Sequence, residues 1–308
     1  MAQTLTQIRN WNATLKTARP NMVALFVGGT GGIGRSTAVK LAAAVATPTI
    51  YIVGRNEKEG AEVMQELKSA NNNGTYSFLS ADASHLREVD AVCQKLKPEL
   101  SSLDLLFMTI GGLSFSKIEG DNNIDVNHIL RYYSRMRFIQ NLTPALEASK
   151  SPRVVSILGG GKEIKIEEDN LDLKKSWSFT GGAGYASSMV SVAHEKLASE
   201  NPSISFIHGF PGVVSTPLFK KFLGPIFGSI VGFLSTPLSM SASESGEWHI
   251  YLSTAEQFKS KDASGNGSYI LNYDGKDLTN EAIMTELREK DFPTIVWKHT
   301  LDTFEKLA

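Results

Sequence analysis

The chain has 308 residues, 42% of them hydrophobic and 20% charged, an ordinary balance for a soluble globular protein with a sizeable core. Its 31 basic and 32 acidic residues are interspersed and leave a net charge of −1, so it lacks the basic footprint of a nucleic-acid binder. A single cysteine, Cys93, excludes an intramolecular disulfide and points to a reducing, cytoplasmic setting.

Residues 1–21 read as an amphipathic lead-in helix ending before Pro20, without the basic-then-apolar order of a secretory signal. The run from Val23 to Val27 predicts a strand buried on both faces, followed by Gly28, Thr30, Gly32, Ile33 and Gly34 at the opening of a helix. Glycines let that turn approach a ligand, and the helix's free N–H groups and positive end favour an anion such as a phosphate. A second strand from Thr49 to Val53 closes a βαβ unit on Arg55. In dinucleotide-binding folds an acid at this point suits the ribose 2′-hydroxyl and an arginine suits a 2′-phosphate. Arg55, with Arg35 nearby, therefore favours NADP(H) over NAD(H).

A third strand, residues 76–79, ends at Asp82, placed to accept from an adenine amino group, and a helix is predicted from Ser84 as its N-cap. Cys93 falls on the apolar face of that helix, where it reads as a small core residue. Residues 103–110 form a fourth strand closing on Gly111-Gly112, and residues 153–158 a fifth ending in Gly159-Gly160-Gly161. Residues 162–178 are charged and irregular and read as a surface insertion. A glycine-rich helix start before Tyr185, a sixth strand over residues 203–208 and a Pro211-Gly212 turn follow. Alternating strands and helices without internal repeat or linker predict one α/β domain, a doubly wound parallel sheet of Rossmann type.

These features together resemble the short-chain dehydrogenase/reductase family over residues 23–271. The glycine spacing is similar to that family's nucleotide loop, Asp82 to its adenine-contacting acid, Asn127 to the asparagine of its fourth helix, and Pro211, Gly212 and Thr216 to the turn whose threonine holds the nicotinamide carboxamide. The resemblance implies a core over residues 22–276, an apolar substrate lid over residues 218–240, and a helical extension over residues 277–308. It implies an apolar small-molecule substrate, no transmembrane segment, and a homo-oligomer of the kind the family forms through its fourth and fifth helices.

The resemblance also implies a serine, a tyrosine and, four residues beyond, a lysine as the reacting set. Tyr185 matches the tyrosine and is the expected proton donor. Met189 stands where the lysine belongs, the nearest later lysine, Lys196, lies roughly 16 Å along the helix, and Gly159 follows the fifth strand where the serine belongs. The asparagine motif after strand four has become Thr109-Ile110-Gly111-Gly112. An unassisted tyrosine, with a pKa near about 10, is about 0.1% ionised at neutral pH, a handicap for alcohol oxidation but not for carbonyl reduction. The expected activity is thus NADP(H)-dependent reduction of a carbonyl or conjugated double bond, in a biosynthetic role like that of divergent fungal members. Alternatives are a non-redox isomerase or cyclase on the same fold, or a non-catalytic nucleotide-binding protein. Glu163, Lys162 and His128 are polar groups that could enter the site, each more often a solvated residue. No histidine or acid spacing suggests a metal.

Overall fold

The computed structural model describes residues 3–112, 114–215, 239–260 and 267–307. Thr216 and nearly all of the expected lid, residues 218–240, lie outside them. The apolar runs become seven parallel strands: β1 (Val23–Val27), β2 (Thr49–Gly54), β3 (Thr75–Ser80), β4 (Leu105–Met108), β5 (Arg153–Ile157), β6 (Ser205–Phe210) and β7 (Ser268–Asn272). Their order is β3-β2-β1-β4-β5-β6-β7. β1 pairs with β2 from Val23↔Thr49 to Val27↔Val53 and with β4 from Ala24↔Leu105 to Val27↔Met108. Strand order therefore reverses between β1 and β4, the place where ligands of open parallel sheets bind.

Continuous apolar strands suit this sheet because both faces are covered. Leu25, Val27, Tyr51 and Val53 belong to one buried cluster, and Ala24, Phe26, Ile50 and Ile52 to the other. The second cluster is roofed by α1 (Leu5–Ala18), α2 (Gly32–Ala44), α3 (Glu57–Ala70) and α7 (Ala242–Thr254). Thr4 and Gln7 form a capping box on α1, which docks on α7 through Asn12 to Glu247 and Trp11 to Thr254.

The first cluster is roofed by α4 (Leu86–Leu96), a long α5, α6 (Phe179–Glu200), α8 (Glu281–Glu289) and α9 (Phe292–Leu307). Helix α5 runs as Val126–His128, a π-type stretch Ile129–Tyr133, and Ser134–Glu147. Helix α4 starts two residues after the expected Ser84, which instead donates to Asp82 through both its N–H and its hydroxyl. Cys93 is buried among core residues, where burial pushes its thiol up to about 12.

The extension over residues 277–308 packs on the body. Val296, Thr300 and Phe304 of α9 are buried, Thr300 meets the Tyr132 hydroxyl, and the Arg288 guanidinium pairs with Glu195 of α6 at 2.7 Å. This extension covers surfaces of the two helices through which the resemblance placed an oligomer. Residues 162–178 differ from the expected surface insertion. Ile166, Asn170, Leu171 and Leu173 are buried, because the segment lies along α6 and gives its backbone hydrogen bonds to that helix. Among the described residues no helix is long and apolar enough to cross a membrane.

Candidate active site

At the carboxyl end of β1 the chain turns at Gly28 with φ +87°, a left-handed conformation that glycine adopts without strain. The Thr109 hydroxyl donates to the Gly28 carbonyl at 3.1 Å and ties this turn to the end of β4. A Cβ at Gly34 would lie 2.5 Å from the Gly28 oxygen, so only glycine lets α2 descend this close to the turn. A Cβ at Gly31 would meet nothing within 4 Å, and Gly31 caps α2 without a side-chain hydrogen bond. The first N–H groups of α2 thus face open space, the arrangement that receives a phosphate. These residues fit a dinucleotide.

Beside the turn lies a cavity of about 370 Å³ reached by Gly28, Thr30, Arg55 and Asp82. Asp82 Oδ1 accepts from Ser84 at 2.7 and 3.0 Å, and Arg55 Nη1 is 3.7 Å from Asp82 Oδ2. Burial alone would raise the Asp82 pKa, but the Ser84 hydrogen bonds and the Arg55 charge outweigh it and hold the carboxyl below its usual range. The Arg55 side chain is 75% exposed at the rim, free to turn toward a ligand. Arg35 does not join it. Its guanidinium is forked onto Glu66 at 2.9 and 3.0 Å, with Glu62 at 3.4 Å, on the outer side of α2 and α3.

A second cavity, of about 420 Å³, continues from the first through shared walls at Thr109, Ile110 and Gly111. Ile33 and Pro211 line it, Gly212 beyond holds φ +70° against the Tyr273 ring, and the buried Asn127 lies against Gly112. Its walls are otherwise mostly aliphatic, from Ile110, Ile157, Leu158 and Ile164. Besides Thr109, the polar side chains are Lys162, Ser187, Arg131 and Arg135.

The expected proton donor is not among them. Tyr185 lies in the core cluster with Met189, and its hydroxyl accepts the Glu167 N–H at 2.9 Å. The cause is the inserted segment. Ser188 holds both the N–H and the carbonyl of Ile164, Ile164 presses on Gly184, and the next turn of the segment claims the tyrosine. The face of α6 turned to the cavity carries Ala183, Gly184 and Ser187 instead. A Cβ at Gly159 would lie 2.5 Å from Ser187 Oγ, so a hydroxyl from α6 occupies the space of the serine missing after β5. Sequence order hid this substitution. Two helical positions turn a side chain by roughly 200°, and only the packing of residues 162–173 shows which face looks inward.

Of the other polar candidates, Lys162 stands at the cavity wall with its ammonium 5.5 Å over the Phe210 ring. His128 is fully enclosed, its Nε2 2.8 Å from the Leu171 carbonyl, and burial pushes its pKa down to about 4. Glu163 is buried behind the residue 159–161 glycines. Its Oε1 accepts from the Ser191 hydroxyl at 2.8 Å and lies 3.4 Å from His208 Nδ1. Burial pushes the Glu163 pKa up, but the His208 hydrogen bond and charge prevail and hold it low. Ser156, within β5, is buried with its hydroxyl 3.4 Å from His194 Nε2. No cluster of metal-ligating side chains occurs among the described residues.

Residues 22–163 match the family model described as short chain dehydrogenase. The chain is 40% identical to the oxidoreductase andH of Emericella variicolor, over 99% of this chain and 97% of that protein. It is 39% identical to the oxidoreductase AN1596 of Emericella nidulans, over 94% of each. Among solved structures, the L-sorbose reductase of Gluconobacter frateurii, complexed with NADPH and L-sorbose, superposes with a TM-score of 0.64 at 18% identity, covering 84% of this chain and 97% of that one.

Proposed function

The chain belongs to the short-chain dehydrogenase/reductase family and is an oxidoreductase-type enzyme of it, and on that premise we propose that it uses NADPH to reduce a carbonyl or conjugated double bond in a mainly apolar small molecule. The observation that carries this reading is the continuous cleft across the sheet's switch point, polar beside β1 to β3 and apolar beside β4 to β6. In it, the turn from Gly28 through Thr30, Gly32, Ile33 and Gly34 holds the pyrophosphate, and Asp82 the adenine. Arg55 takes the 2′-phosphate, while Asn127, Pro211, Gly212 and Thr216 serve the nicotinamide end. The bound nucleotide supplies the hydride.

The chain's residues do the rest. Aliphatic walls exclude water, which strengthens every polar contact inside. Negative charge that develops on the substrate oxygen is met by the guanidinium groups, donors of the kind that lower such barriers, and by the Ser187 hydroxyl, which turns to it from the Ala183 carbonyl to which it donates at 3.0 Å. Tyr185 has a positioning role, fixing the inserted segment. Residues 1–308 act as one unit, with residues 218–240 as the substrate lid. A cytoplasmic biosynthetic role belongs to the same reading, and a homo-oligomer would need a face that α9 leaves free.

NADPH oxidation with a panel of apolar ketones and enones tests the reading. Turnover is expected, with Ser187→Ala lowering kcat about tenfold or more and Tyr185→Phe changing it by less than about twofold. Tight NADPH binding with no turnover on any substrate would sink the reductase. It would favour the non-redox isomerase or cyclase, or the non-catalytic nucleotide-binding protein, instead; Tyr185 facing the core supports the latter.

A further inference from the structure

The apolar cavity is walled by two buried guanidinium groups with which no carboxylate among the described residues forms an ion pair, Asp125 acting on Arg131 only from beyond ion-pair distance. Arg131 and Arg135 stand four residues apart on α5, Arg131 within its π-type stretch, and both line the cavity. Arg131 is 7% exposed and donates to the Gly112 carbonyl at 2.6 Å. Arg135 is fully buried and donates to the carbonyls of Met108, Ile110 and Ile157 at the carboxyl ends of β4 and β5, while its Nε has no partner. Every one of those acceptors is neutral. Among the described residues no carboxylate forms an ion pair with either group, none lines the cavity, and residues 216–238 contain no aspartate or glutamate that could be brought to it.

Other arginines of this chain are paired: Arg19 with Asp104, Arg35 with Glu66, Arg137 with Asp90 and Arg288 with Glu195. Arg153 is buried without an acid partner too, but at the amino end of β5, away from the cavity. Burial therefore does not single out Arg131 and Arg135. Their shared place in the wall of a cavity does. Two like charges held side by side out of water are costly unless something of opposite charge completes them. Burial and the neighbouring Arg131 charge push the Arg135 pKa down to about 9, which still leaves it cationic at neutral pH.

Resting on the reading of this cavity as the substrate site, we propose that the substrate carries a carboxylate, received by Arg131 beside Arg135, on an otherwise apolar skeleton that fills the aliphatic walls. A guanidinium fork matches a carboxylate's two oxygens, and Lys162 at the wall adds a third cation along the approach. An acidic head and an apolar body also explain why a mainly aliphatic cavity holds three cations and no acid.

Calorimetric titration of the whole protein with benzoylformate, trans-cinnamate and hexanoate, each against its methyl ester, tests the proposal. For the acid of at least one pair, binding about tenfold tighter than the ester is expected, a preference that Arg131→Gln reduces to about threefold or less. The same titration with NADPH should change by less than about threefold in that variant. Where circular dichroism shows Arg131→Gln misfolded, Arg131→Lys takes its place, and a reduced preference is again expected because the charge stays and the fork is lost. Esters binding as tightly as acids, no acid binding up to about 10 mM, a preference untouched by the substitution, or a parallel loss of NADPH affinity would each overturn it. Absence of NADPH binding with the acid preference intact instead removes the proposed reductase and leaves this substrate class standing.

Discussion

The cleft has two halves of similar size that keep the family pattern to different degrees. On the β1 to β3 side the turn at Gly28, Asp82 and Arg55, the residues on which the sequence resemblance rests, gather around one cavity. On the β4 to β6 side the serine and lysine are gone, the tyrosine faces the core, and Ser187, Arg131 and Arg135 reach the space instead. The halves differ in what they are made of. Phosphate is held largely by backbone N–H groups and a helix end, which depend on glycine at fixed positions and allow little substitution. A reacting group is held by side chains, and a side chain can be replaced by another that arrives from a neighbouring element.

Substitution in the nucleotide half should therefore have the largest effect. Gly34→Val forces a side chain against the Gly28 carbonyl, and we expect NADPH affinity to fall about a hundredfold or more, measured by fluorescence titration, with the melting temperature recorded alongside. Retained affinity would mean that the turn is not the phosphate site, and the comparison would break at its firmer end.

Acid should act on the other half. The first 120 residues contain one histidine, His85, which is partly exposed, whereas His128 on α5 and His194 on α6 are buried and neutral, as is His249 on α7 across the sheet. Burial pushes His128 and His249 down to about 4 and His194 well below its ordinary value. Since these folded values lie below the unfolded one of about 6.5, the unfolded chain takes up protons first. The associated stability is present above about pH 6.5 and lost as pH falls toward about 4, roughly 2 kcal/mol for His128 and for His249 between pH 7 and 5. Urea midpoints at the two pH values, with hydrogen exchange rising in α5 and α6 before β1 to β3, would check it. A midpoint that does not move would contradict the burial.

The smallest expected effect lies at the rim. Arg55→Gln should narrow the preference for NADPH over NADH by about three- to tenfold, a modest change because an exposed charge pair is screened by water. An equal loss for both nucleotides would show that Arg55 meets a part they share.

Much of this could be read without coordinates. The apolar runs gave six of the strands within two residues at either end, because strands covered on both faces must be apolar throughout. Cys93 read correctly as core, since its helix carries apolar residues at the period of a buried face. Arg35 read as a nucleotide ligand from its place in the sequence, yet Glu62 and Glu66, a helix away, bind it. Such pairs are set by helix packing and leave no mark on local spacing.

What the chain alone determined is the fold and the glycine turn after β1, because both rest on periodicity and on backbone freedom at particular glycines, which are local properties. The reacting face was decided only in three dimensions. Residues 162–173 lie along α6, take Tyr185 and Ser188 as hydrogen-bond partners, and so turn Ser187 toward the space beside Gly159. Arg131 and Arg135 enter that space from a helix some fifty residues earlier in the chain. A helix offers several faces with nearly equal claims on its sequence, and the neighbour that packs against one of them decides which is left for chemistry.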